Sequence, residues 1–71
     1  MHRRPITTKQ KEVLVYIEQQ IMLHGHAPTA AEVAFYFNIS LRPAQKHIDS
    51  LYVKGYIKKI PGVARGIVVL P

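Results

Sequence analysis

The chain's 71 residues, 48% of them hydrophobic and none of them cysteine, allow one helix-packed domain in a reducing cytoplasm and exclude a disordered segment, a disulfide scaffold and a zinc finger. No apolar run approaches the ~20 residues of a membrane span, and Met1-His2-Arg3-Arg4 leads into no signal-type stretch. Ten Lys and Arg against four acids give a net +6, the electrostatic footprint of a nucleic-acid binder, though acidic membranes and acidic proteins would feel it too.

The first periodic segment runs from about Thr8 to His24, with Val13, Leu14, Ile17 and Ile21 on one helical face. Thr7 is its N-cap and Gln10 completes a capping box. Gly25 suits the left-handed residue that ends such a helix. Thr29 and Glu32 form a second capping box behind Pro28, a stiff lead-in that can staple to Val33. Helix two is short, about Ala30 to Phe37, with Val33, Ala34 and Phe37 inward and Asn38 placed for a left-handed exit. Only Asn38-Ile39-Ser40 separates it from helix three, residues 41–54, for which Ser40 is the N-cap. Pro43 is tolerated there because first-turn amides lack helical partners anyway. Ala44, Ile48 and Leu51 form the inward stripe.

After Gly55 the period changes. Tyr56–Ile60 and Ile67–Leu70 read as strands. Pro61 to Gly66 is a flexible turn between them, and Lys58, Lys59 and Arg65 rim the hairpin. The expected fold is mainly α with a small β-hairpin: three helices plus a two-stranded antiparallel wing, in one domain spanning residues 1–71. This is the plan of a winged helix-turn-helix, whose second paired helix enters the major groove of DNA.

A family likeness runs through the same residues. It is carried by Ile6-Thr7, Gln10, Glu12-Val13, Ile17, Ile21 and Gly25, then by Pro28-Thr29 and Ala31-Glu32-Val33-Ala34. His47-Ile48, Leu51, Lys54-Gly55, Ile57 and Arg65-Gly66-Ile67 complete it. Over nearly its whole length the chain resembles the N-terminal DNA-binding domain of the LexA repressor family. The resemblance implies a bacterial transcriptional repressor that occupies an operator. There are departures. The turn before helix three is one residue shorter than in the family. The family's recognition helix presents an Asn and two Glu to the bases, whereas the matching positions here hold Arg42, Gln45 and Lys46, which implies a different operator. The family's self-cleaving C-terminal domain, with its Ser-Lys dyad and dimer interface, has no counterpart among these residues, so autoproteolysis and SOS control are not carried over.

Arg42, Gln45, Lys46 and Ser40 are therefore the expected base contacts; the bland alternative is a solvated helix face. The expected phosphate contacts are Thr29, Lys54, Lys58, Lys59, Arg65, Arg3 and Arg4. The last two, with Lys9 and Lys11, flank the start of helix one, where helix amides attract anions. His47, Asp49 and Ser50 superficially suggest a hydrolytic triad, but at about 100° per residue Asp49 points away from His47. His24 and His26 are two ligands without a third, and His24 better complements the helix dipole. No catalytic residue, metal, cofactor or small-molecule ligand is expected. Phe37 is core by spacing, and Tyr36 is expected to be a half-buried core aromatic. Val15 and Met22 lie opposite the inward face of helix one and suit a weak homodimer on DNA. The expected partner is a double-stranded operator, met at the nucleoid in the cytoplasm. A winged helix that binds protein, or an accessory module of a larger regulator, is the rival reading. Met1 suits a native start, and Pro71 suits a domain boundary or a natural end.

Overall fold

The computed structural model describes residues 4–71. Three helices, α1 (Thr8–His24), α2 (Ala30–Phe37) and α3 (Leu41–Val53), precede two strands, β1 (Ile57–Lys59) and β2 (Ile67–Val69). The strands pair antiparallel, so the architecture is the expected winged helix-turn-helix.

The helix boundaries follow from the caps. Thr7 Oγ1 accepts the Gln10 amide at 3.1 Å, and Gln10 Oε1 accepts the Thr7 amide at 3.1 Å. The same exchange joins Thr29 and Glu32, at 3.1 and 2.9 Å. Each box satisfies two amides that a helix start leaves without partners. Gly25 ends α1 at φ 76, its amide bonded to Ile21 O at 2.8 Å. Asn38 ends α2 at φ 55, a left-handed conformation that Asn adopts more readily than most residues. Residues 38–40 then turn the chain directly into α3.

The start of α3 departs from expectation. Ser40 is its N-cap and its carbonyl accepts the Ala44 amide at 3.3 Å, yet the hydroxyl makes no capping bond. A cap hydroxyl serves the second or third amide of the helix. The third residue here is Pro43, which has no N–H to offer. α3 also ends at Val53, one residue earlier than expected, with Lys54 as its C-cap.

α3 packs against α1, α2 and β1. Val13, Tyr16 and Ile17 of α1, Val33 and Ala34 of α2, Ala44, Ile48 and Leu51 of α3, and Ile57 of β1 make one buried cluster. Full burial of an Ile or Leu stabilises by about 1.5–3 kcal/mol. Leu14 and Ile21, expected inside, are only half-buried, and Tyr16 takes the inward place. Tyr36 is not half-buried: it is 60% exposed and lies flat on Tyr16, with ring centroids 4.1 Å apart. Phe37 meets the same ring edge-on at 5.7 Å. Burial is the main cause that pushes the Tyr16 hydroxyl above its usual pKa.

The wing strands are three residues each, shorter than expected. Their register pairs Ile57 with Val69, Lys58 with Val68 and Lys59 with Ile67. Ile57 is buried while Lys58 and Val68 are exposed, so inward and outward side chains alternate as a pleated ribbon requires. The Ile60 amide is bonded to Gly66 O at 2.7 Å in the turn. A Cβ on Gly66 would fall 2.7 Å from Ile60 O and 3.0 Å from Val63 O, so no larger residue fits without moving backbone.

Candidate nucleic-acid interface

Successive residues of α3 are turned by about 100°. With Ala44, Ile48 and Leu51 fixed inward, Arg42, Lys46 and Asp49 fall on the opposite side, and Gln45 flanks them. Arg42, Gln45, Lys46 and Asp49 are all exposed. Arg42 and Lys46 form no ion pair with another described residue. At the head of this face the first turn of α3 carries no acid and no side-chain cap. Exposed Ser40 stands beside it, and the positive end of the helix dipole is left uncovered.

The expected phosphate contacts are placed quite differently from one another. Lys58 is exposed on the outer face of β1 and carries no ion pair to a described residue. Lys59 pairs with Asp49 of α3, and its ammonium stands 5.2 Å from the centre of the Tyr52 ring. Lys54 donates to Gln10 Oε1 at 2.8 Å, which ties the end of α3 to the start of α1. Arg4 donates to Val53 O at 3.3 Å, while the Tyr56 hydroxyl donates to Arg4 O at 3.0 Å. Thr29 uses its hydroxyl oxygen to cap α2. Arg3 lies outside the described residues.

Arg65 is held most firmly. Its guanidinium donates to both carboxylate oxygens of Glu32, at 2.5 and 3.1 Å, and to Ala27 O at 3.1 Å. The Arg65 hydrogen bond, then the Thr29 amide, holds the Glu32 carboxyl well below its usual range, at about 2. The same pairing raises the Arg65 pKa. The wing is thus fastened to both paired helices, through Arg65 to α2 and through Lys59 to α3. Between these fastenings runs a groove lined by Thr29, Gln45, Lys59, Ile60, Val63 and Ile67.

Asp49 was not anticipated as part of this face. The signal was present in its spacing, four residues after Gln45 and seven after Arg42, which returns it to the same side of the helix. No group of three or more His, Cys, Asp or Glu among the described residues is arranged to hold a metal ion. No helix among them is long and apolar enough to cross a membrane.

This geometry agrees with what the chain is similar to. The family model described as the LexA DNA binding domain matches residues 3–66. The chain belongs to the LexA DNA-binding domain family. The LexA repressor of Thermotoga neapolitana is 39% identical over 64 residues. The LexA repressor of Shewanella sediminis is 42% identical over 65 residues. Each alignment takes in 90% of this chain and 32% of the relative. The chain therefore spans about a third of the length of the curated relatives it matches. Within that third, this LexA domain keeps its cations in two roles: some brace α1, α2, α3 and the wing against each other, and others stand unpaired on the outer face of α3 and on β1.

Proposed function

We propose that this LexA domain occupies a double-stranded DNA operator, with α3 in the major groove and the wing along the phosphates, as the DNA-reading part of a transcriptional repressor. The observation that carries the reading is the outer face of α3. It presents exposed Arg42, Gln45 and Lys46 next to an uncapped helix start. Arg and Lys match the O6 and N7 acceptors of guanine, and Gln matches adenine N6 and N7. Ser40, its hydroxyl not engaged in capping, stands at the mouth of the same face. Lys58 is the wing cation best placed for a phosphate. Lys54, Arg65, Arg4 and Thr29 would add a phosphate contact to the bonds they already make, whereas Lys59 is held by Asp49. The mode of action is occupancy and involves no chemistry. Exposed Val15 and Met22 on α1 supply a surface for weak pairing on a two-fold operator.

Selection of bound sequences from a random duplex library tests the reading. It should return a purine-rich half-site. Affinity for that site should fall with salt along a log–log line, and Lys58→Ala should flatten the slope by up to ~1 while weakening all sequences alike. No enrichment of any sequence, together with binding indifferent to salt, would instead favour a winged helix that binds protein.

A further inference from the structure

Asp49 is an acid on a helix face that otherwise suits a polyanion. It lies on the exposed side of α3, one turn beyond Gln45 and two beyond Arg42, and its side chain is 51% exposed. A bare carboxylate at this point would repel phosphates whatever the base sequence. The fold offsets that charge. Lys59 reaches across from β1 to Asp49 Oδ1 while resting against the Tyr52 ring. Asp49 Oδ2 accepts no hydrogen bond from another described residue. The result is a hydrogen-bond acceptor that faces outward with its charge balanced.

An acceptor of this kind meets amino groups in the major groove, and a carboxylate pairs with N4 of cytosine. Seven residues at 1.5 Å each place Asp49 about 10 Å from Arg42 along α3. Stacked bases are 3.4 Å apart on a strand, so the two side chains address positions about three base pairs apart. We propose that Asp49, held and neutralised by Lys59, is a specificity-determining residue that reads a cytosine amino group about three base pairs from the guanine facing Arg42. This rests on α3 being the helix that enters the groove. Lys59 acts here as a positioning residue, not as a free phosphate contact.

The test compares wild type, Asp49→Ala and Asp49→Asn on a panel of single-base variants of the library-selected duplex, at several salt concentrations. Wild type should prefer one C·G pair by about five- to tenfold. Asp49→Ala should lose that preference and keep the ranking at the guanine facing Arg42. Asp49→Asn, nearly the same size and shape, should move the preference toward adenine, since Asn pairs with adenine N6 and N7. Two outcomes overturn the proposal while leaving operator binding intact. In one, Asp49→Ala tightens binding to every site and steepens the salt slope, which would mean that Asp49 merely holds Lys59 away from phosphate. In the other, it weakens every site equally with the ranking unchanged, which would mean that the pair only props the wing. Failure of the underlying reading looks different: wild type itself would rank no site above another.

Discussion

α2 and α3 follow one another across residues 38–40, yet their first turns are built in opposite ways. α2 begins inside a closed ring of bonds. Thr29 and Glu32 cap each other, and Arg65 grips Glu32 and Ala27 from the wing. α3 begins with no side-chain cap, no acid in its first turn, and a proline where the third amide would be. An N-cap hydrogen bond contributes about 1 kcal/mol, so α3 forgoes stability that α2 has. The difference separates a helix whose start is anchored from one whose start carries no side-chain cap. The polar groups at the start of α2 are engaged already, and Arg42 and Lys46 in the first turns of α3 form no ion pair with another described residue.

The contrast can be broken most sharply at Arg42. Arg42→Ala should cost about 1–3 kcal/mol of binding on the best site and relax preference at one or two adjacent positions, with the denaturant midpoint unchanged. A single-base panel decides it: an unaltered ranking of sites would make Arg42 a phosphate contact only. Thr29→Ala should do the reverse. It should cost about 1 kcal/mol of stability, seen in urea unfolding, and leave the ranking of sites untouched.

Glu32 sharpens the same contrast through pH. Its folded pKa of about 2 lies below the ordinary 4.5. A depressed carboxyl stabilises the fold above the unfolded pKa, and that contribution is lost as pH falls toward the folded value. Urea midpoints of wild type should therefore drop between about pH 4.5 and 2, beyond the drop shared with Glu32→Gln, and the two proteins should converge near pH 2. The pair is exposed, so solvent screening keeps the effect below that of the cap. Parallel curves would mean that Arg65 does not hold Glu32 in solution. The smallest effect belongs to Ser40→Ala, which should shift stability by a few tenths of a kcal/mol at most, because no cap bond is lost. A shift as large as that of Thr29→Ala would show that the two helix starts are alike after all.

The parts of the fold that were legible in the sequence are those written within a few residues. Thr7 with Gln10, Thr29 with Glu32, Gly25 and Asn38 fixed the limits of α1 and α2 because capping is a local exchange. Ser40 is the N-cap its pattern points to, but that its hydroxyl makes no cap bond could not be read, although Pro43 removes one of the two amides it could serve. Tyr16 escaped notice because a tyrosine at the edge of an apolar stripe is buried only if another ring covers it, and Tyr36 does so from a different helix. The candidate site divides in the same way. Arg42, Gln45 and Lys46 could be placed outward from the inward stripe of α3 alone. That Arg65, Lys59 and Lys54 are tied to Glu32, Asp49 and Gln10 could not be read off, since each tie joins separate elements of the fold.

Gly66 has no side chain, yet it decides which way Lys58 points. The carbonyls of Ile60 and Val63 press so close to it that sliding the hairpin by one residue would force Arg65 or Ile67 into space only a hydrogen atom fills. A slip of one would also exchange the two faces of each strand, turning Lys58 toward the core and Ile57 toward solvent. The hairpin is in effect a cassette with a fixed stop. Within the exposed tip from Pro61 to Ala64, Gly62 at φ 75 resists any residue with a side chain, and an insertion that displaces Gly66 would reverse the polarity of the whole wing.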